Sequence, residues 1–326
     1  MPVNEPKKIP TTILTGFLGS GKTTFLNHLI QSKPDTRFAI IENEFGEESI
    51  DGDLIVRSSD DIVEMNNGCL CCTLNENLYD LLGELHERRA DFDALLIEAT
   101  GVADPAGLAE PFLIHPAVKK TFELQQVICL VDAEQAEDQL KQTEEARKQI
   151  AFSDVLLLNK TDLVSPEYVK ELQEKLSGIN PTAEVLLKKD QKFPVIKPSS
   201  SAHLLKANPK ADASHSHSHS HRHNDISTHA LTFDTPVELQ LLYHLLLAYL
   251  TFQAKDTYRV KGILHTTESN QKYLLQSVGK RLGIEPIGEW KTGEERKTKI
   301  VFIGKNLQLE ALQKLIERSL KAQKIF

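Results

Sequence analysis

From the start of the chain to about Leu187, short β-branched or aliphatic runs alternate with longer stretches of helical period. That alternation predicts strand, helix and strand in succession, the arrangement of a mostly parallel sheet covered by helices. Strands are expected over 9–15, 38–42, 94–98, 126–132, 154–159 and 184–187. Helices are expected over 22–31, 74–89, 133–149 and 166–176, with Pro166 suited to a first-turn position. After Leu187 the pattern lapses into Lys, Pro, Ser, Asn and His without a sustained apolar period, so 188–226 reads as a linker or long loop. Structure resumes with a strand over 228–233, a helix over 237–252, strands over 258–265, 272–278 and 299–303, and a final helix over 307–320. The expected division is therefore 1–187, an α/β domain, then a linker at 188–227, then a smaller α+β domain at 228–326.

Composition adjusts this picture in two places. The chain has 326 residues, which at roughly 150 residues per domain agrees with two folded units. With 40% hydrophobic and 26% charged residues it has an ordinary globular profile, so wholesale disorder and coiled-coil rods are excluded. The formal charge of -8 disfavours a general nucleic-acid or anionic-membrane surface but leaves room for a small basic phosphate pocket. The greasiest stretch, 239–252, is interrupted by Gln240, His244 and Thr251 and is shorter than the ~20 residues of a membrane span. The first eight residues lack the apolar run of a secretory signal, so a cytoplasmic setting is expected. Only 4 cysteines are present, three of them crowded into 69–72, which in a reducing compartment points to metal or redox chemistry rather than to disulfides.

Two motifs point to a nucleotide. Gly16-Phe17-Leu18-Gly19-Ser20-Gly21-Lys22-Thr23, continued by Thr24, fits G-x-x-x-x-G-K-[ST] between an expected strand and an expected helix. There the glycines let backbone N–H groups turn inward around phosphates, Lys22 reaches the β- and γ-phosphates, and Thr23 holds Mg²⁺. The apolar run 92–98 ends in Glu98, placed to orient a Mg²⁺-bound or attacking water, and Gly101 has no side chain to keep its amide from the γ-phosphate. Asn159-Lys160-Thr161-Asp162 follows another apolar run. In this N-K-x-D order the Asp162 carboxylate accepts from guanine, whereas adenine would leave it unpaired at about 1–3 kcal/mol or more, so GTP is preferred over ATP.

Gly68-Cys69-Leu70-Cys71-Cys72 brings three thiols together. In an extended segment Cys69 and Cys71 share a face, Cys72 joins them only if the chain turns, and a tetrahedral site needs at least one further ligand. The acidic segment 41–47 contains the candidates, and thiolate with carboxylate suits Zn²⁺, with Co²⁺ less common. His215, His217, His219, His221 and His223 alternate with small or polar residues; extended, all five lie on one face and hold a transition metal weakly. Cys129 stands alone in an apolar run. Isolated histidines such as His28, His86 and His244 are assigned no function.

Taken together these residues resemble the CobW-like GTPases, most closely their YjiA-like branch, relatives of UreG and HypB. The likeness rests on the 15–24 loop, Glu42-Asn43-Glu44-Phe45-Gly46-Glu47, the cysteines at 69–72, Glu98-Ala99-Thr100-Gly101, and 159–162. In the last domain it rests on Arg259-Val260-Lys261-Gly262 and Val301-Phe302-Ile303-Gly304. The resemblance implies a P-loop NTPase domain with a mostly parallel sheet followed by a CobW C-terminal domain. It also implies Zn²⁺ or a related metal at the cysteines and at the carboxylates matching Glu42 and Glu47. The function it implies is a slow, metal-regulated GTPase, hydrolysing GTP to GDP with Lys22, Thr23 and Glu98 and delivering Zn²⁺ to a client metalloprotein. Co²⁺ and Ni²⁺ stay open as cargo, as does a homo-oligomer, and no nucleic acid or membrane partner is expected. The competing reading is a zinc buffer with weak GTPase activity, separable by whether GTP alters metal affinity.

Overall fold

The computed structural model describes residues 7–42, 51–57, 62–68, 74–198, 226–252 and 256–320, with no side-chain description for Glu42, 51–57, 62–68 and 74–77. The chain divides into two compact units, Met1–Gln173 with Val185–Ser199, and Glu174–Glu184 with Ser200–Phe326.

The first unit is laid down as β1 (Ile9–Gly16), α1 (Lys22–Gln31), β2 (Phe38–Glu42), β3 (Asp51–Arg57), β4 (Ile62–Gly68), α2 (Leu74–Glu87) and β5 (Ala94–Glu98). There follow α3 (Pro105–Ile114), α4 (Pro116–Thr121), β6 (Phe122–Asp132), α5 (Ala136–Gln142), α6 (Glu144–Phe152), β7 (Val155–Asn159), α7 (Pro166–Ile179), whose last turns are counted with the second unit, and β8 (Glu184–Leu187), whose first residue is counted there too. The sheet order is β4-β3-β2-β5-β1-β6-β7-β8. Strands β2, β5, β1, β6 and β7 run parallel, while β3 and β4 form an antiparallel ribbon on one edge. Parallel strands are covered on both faces, which is why β7 reads Val-Leu-Leu-Leu-Asn and is buried at every position. Pro10 has no N–H to give to the ladder, and the β1–β6 register slips beside it, between Thr11 and Thr12. On one face Phe25 and Leu26 of α1 pack onto Leu14, Ile40, Leu96 and Ile128.

Four expectations need correction. The single helix expected over 133–149 is two, because Thr143 takes an extended conformation and its Oγ1 caps α6 by accepting from Ala146 N at 3.3 Å. The strands β3 and β4 carry weak apolar patterns and owe their place to ladder bonds, β3 with β2 and β4 with β3. Helices α3 and α4 were not expected over a proline-rich stretch, yet Pro105 and Pro116 occupy first-turn positions, where proline costs nothing. Residues 188–198, expected as free loop, are irregular but packed: Phe193 meets Phe25 edge-on at 5.0 Å, and Lys188 Nζ lies 4.7 Å from the Phe193 ring centre.

The second unit contains β9 (Ile226–Phe233), α8 (Leu239–Phe252), β10 (Thr257–Leu264), β11 (Gln271–Val278), β12 (Arg281–Glu289), β13 (Thr298–Lys305) and α9 (Leu309–Glu317). Its sheet, in the order β12-β11-β10-β13-β9, is antiparallel throughout. Alternation along the strands sends Leu231, Val260, Leu275, Ile300 and Phe302 into a core closed by Leu242 and Leu246 of α8 and Leu312 and Ile316 of α9. Strand β12 was missed, since Arg281-Leu282-Gly283-Ile284-Glu285-Pro286 reads as a turn without its partner β11. Among the described residues no helix is long and apolar enough to cross a membrane.

Candidate nucleotide and metal site

The carboxyl ends of β1, β5, β6 and β7 converge on one edge of the first unit. This is where ligands bind in open α/β sheets, because the loops that follow the strands diverge there. Leaving β1, the chain turns through Gly16 (φ 137°), Gly19 (φ 73°) and Gly21 (φ 96°) before α1 begins at Lys22. At Gly21 the demand is steric as well as torsional, since a Cβ there would collide with the Asn159 amide. That amide donates from Nδ2 to Ser20 O at 2.9 Å, tying the loop at 16–21 to the loop at 159–162.

Lys22 is buried and its Nζ donates to Gly16 O at 3.0 Å and Phe17 O at 3.3 Å, which holds the ammonium across the mouth of the loop. Thr23 Oγ1 donates to Glu98 Oε1 at 2.9 Å, joining the first turn of α1 to the end of β5. The Glu98 side of this pair is buried. A hydroxyl and a carboxylate make an all-oxygen donor set of the kind Mg²⁺ takes, so these residues fit that ion. Four buried oxygens at this edge, Thr15 Oγ1, Ser20 Oγ, Thr100 Oγ1 and Asn159 Oδ1, have no hydrogen-bond partner among the described residues. Buried polar atoms are nearly always satisfied, and such a group of them marks a place for a polar ligand. A Cβ on Gly101 would meet Leu18 of the loop at 2.5–2.6 Å, so glycine is required there for the two loops to touch.

Residues that pattern reasoning passed over complete the edge. Asp132, at the end of β6, is fully buried, and its Oδ2 accepts from Lys160 Nζ at 2.6 Å. Lys160 itself is left-handed at φ 58°, which swings the following Thr161 and Asp162 outward. Gln149, buried on α6, donates from Nε2 to Gly101 O at 3.0 Å and Ala103 O at 3.2 Å, and so clamps the turn after β5. Thr161 Oγ1 donates to Lys188 O at 2.8 Å, and Gln191 Nε2 donates to the exposed Asp162 Oδ2 at 3.2 Å. Asp190 and Gln191, both at positive φ, form the tight turn that returns Lys192 to Lys189. An acid ending a strand, and a polar pair inside a predicted linker, are the only signals the sequence carried for these.

The predicted metal ligands fare differently. Cys69, Cys71, Cys72, Glu47 and the five histidines of 215–223 lie outside the described residues. The backbone of Glu42 ends β2 and is the register partner of Glu98. Among the described residues no group of three or more His, Cys, Asp or Glu is placed to hold a metal ion. Cys129 is buried in β6, and burial pushes its thiol up to about 12, consistent with a core residue rather than a ligand.

Against this geometry the family models are decisive. The CobW/HypB/UreG nucleotide-binding domain matches residues 10–187. The chain belongs to the CobW/HypB/UreG family. The CobW C-terminal domain matches 226–320 of this CobW-family chain, which gives the antiparallel unit its name. The zinc chaperone YjiA of Escherichia coli is 33% identical over 311 residues, covering 94% of this chain and 96% of that protein. The zinc chaperone CobW of Pseudomonas aeruginosa is 30% identical over 355 residues, covering 98% and 94%. Among solved structures, Zn(II)-bound YjiA GTPase from E. coli superposes with a TM-score of 0.68 at 30% identity, covering 97% of this CobW-family chain and 100% of that one.

Proposed function

We propose that this chain is a metal-regulated GTPase that takes Zn²⁺ as cargo and couples GTP hydrolysis to its transfer to a client metalloprotein. The observation that carries the reading is the Thr23–Glu98 hydrogen bond at the carboxyl edge, formed between the phosphate loop and the strand whose register neighbour is Glu42. Glu42 opens the acidic segment expected to share the metal with Cys69, Cys71 and Cys72. One backbone ladder therefore links a nucleotide-side carboxylate to a cargo-side one, and occupancy of either side biases the other reciprocally.

In this reading Gly16–Thr24 cradle the phosphates with backbone N–H groups. Lys22 exchanges its two carbonyl partners for phosphate oxygens, and Thr23, with Glu98 beside it, would hold Mg²⁺, which neutralises charge building on those oxygens. Glu98 orients the attacking water, and the Gly101 amide faces the γ-phosphate. Asn159 braces the phosphate loop while Asp162 accepts from guanine, and Lys160 lies alongside, fixed by Asp132. Residues 1–187 form the catalytic domain, the histidine-bearing 188–227 segment gathers metal, and 228–326 is the second domain. The names carried by YjiA and CobW as zinc chaperones support this assignment.

The test is GTP turnover with and without Zn²⁺. Lys22→Ala should lower turnover at least 100-fold, and Cys71→Ala should weaken Zn²⁺ binding and remove its effect on hydrolysis. Parental turnover in the first variant would overturn the phosphate-loop role, and an unchanged zinc titration in the second would overturn the cargo site.

A further inference from the structure

The amino end of the parallel sheet carries a second concavity, between α2, α4 and the start of β6, with a volume of about 450 Å³. Leu82, Val118 and Phe122 form its buried apolar floor. Its rim carries His86, His115 and Lys120, all exposed, and none of the described residues that line it is acidic. Among these lining residues the one formal charge is that of Lys120, and the two imidazoles add hydrogen-bonding nitrogens, so the rim favours an anion in a chain of net charge -8. The two imidazoles are held in place: His86 Nδ1 shares a 2.7 Å hydrogen bond with Thr121 Oγ1, and the His115 ring lies 5.1 Å from that of Tyr79.

Gly83 supplies an independent observation. It lines the cavity from the middle of α2, where glycine weakens a helix relative to alanine. Its φ is not positive, and a Cβ built on it meets nothing within 4 Å. Neither backbone conformation nor packing among the described residues calls for glycine here. What the missing side chain does provide is depth, since any larger residue at 83 would project into the concavity.

We infer that this cavity is a docking site for an acidic peptide segment of a partner protein, one that inserts an apolar side chain against Leu82, Val118 and Phe122 and sets a neighbouring carboxylate against His86, His115 and Lys120. The volume falls in the range of ligand pockets and suits one large or two small apolar side chains. The basic rim selects an acidic flank and repels a basic one. The inference does not depend on the metal-delivery reading, because the cavity lies at the opposite end of the sheet from the phosphate loop and uses none of its residues.

A random peptide library displayed on phage and selected on the full chain provides the test. Enriched peptides should combine Leu, Ile or Phe with adjacent Asp or Glu. Synthesised singly and followed by fluorescence anisotropy, they should bind at least ten-fold more weakly to Gly83→Trp, which fills the cavity, and to Lys120→Glu, which reverses the rim. GTP turnover should be unchanged in both variants. Gly83→Ala serves as a folding control and should raise the melting temperature. Should Gly83→Trp not fold, Lys120→Glu decides alone. The inference is overturned if no peptide is enriched, if enriched peptides are basic, or if they bind the folded variants as tightly as the parent. Competition by free 3-phenylpropionate at the peptides' own concentration would replace the peptide with a small carboxylate and equally overturn it.

Discussion

At the carboxyl ends of β1, β5 and β7, the candidate site is built from backbone groups and small polar side chains, with three left-handed glycines and a left-handed lysine within two short loops. At the amino end of β6 the surface is made of regular helices, and the cavity there is apolar with a charged rim. The same sheet thus presents two chemistries. The carboxyl edge gains its character from irregular backbone held by long-range bonds such as Asn159 to Ser20 and Lys160 to Asp132. Strain of that kind persists only where surrounding structure holds it in place. The amino edge needs no such bracing, because a concavity between helices is set by their packing, with Gly83 adding depth. Polar recognition of a nucleotide is therefore sensitive to changes far away in sequence, while apolar docking is sensitive mainly to volume and charge at the rim.

This contrast can be broken or sharpened by experiment. The largest effect on this contrast should come from Asp162→Asn, which removes the carboxylate proposed to read guanine. It should cut the preference for GTP over ATP by about 10–100-fold, corresponding to about 1–3 kcal/mol, in competition binding with the two nucleotides. An unchanged preference would move base recognition elsewhere. A comparable effect, read on stability as well as on binding, is expected from Asp132→Asn. It replaces a buried charge partner of Lys160 with a neutral amide, should cost about 1–3 kcal/mol in urea unfolding and should raise the KM for GTP. If stability and KM are both parental, the Lys160–Asp132 pair has no part in holding the loop.

The smallest effect belongs to the amino end. Side-chain and backbone hydrogen bonds from Arg37 hold the Asp93 carboxyl below its ordinary 3.8. A carboxylate with a lowered value in the folded state stabilises fully above pH 3.8 and loses that contribution as pH falls through the lowered value. Stability should therefore begin to fall below about pH 4 in the parent, and less so in Asp93→Asn, as measured by thermal melts across pH. Both side chains are 46% exposed, so the difference should be small and shrink further in salt. A difference that persists in high salt would show that the pair is more enclosed than its exposure indicates.

Much of this molecule was legible in advance. β1, α1, β2, β5 and β7 lie where the periodicity placed them to within a residue, because buried parallel strands and a helix begun by a glycine loop have strong local signatures. The elements that escaped are those whose stability comes from a neighbour. The pairing of Ile55 with Glu64 is invisible until β3 meets β4, and β12 is a strand only against β11. The site divides the same way. Gly16–Thr24, Glu98, Gly101 and Asn159–Asp162, which the structure brings to one sheet edge, could be singled out because their motifs specify chemistry within a few residues. Asp132, Gln149 and Gln191 were not, since each acts across 28 or more residues on a group the sequence does not place beside it.

Sequence alone sufficed for the buried parallel strands and the helix after the first glycine loop, for the division into nucleotide-binding and C-terminal domains, and for the residue types of the two motif loops. Those follow from local periodicity and from short motifs whose backbone geometry is self-contained. Only the tertiary fold made Thr23 meet Glu98, set Asp132 against Lys160, and brought Gly83 of α2 to one cavity with Val118 and Phe122. Each of these is a contact between segments far apart in the chain, and only the packing of the sheet and its helices sets the distance between them.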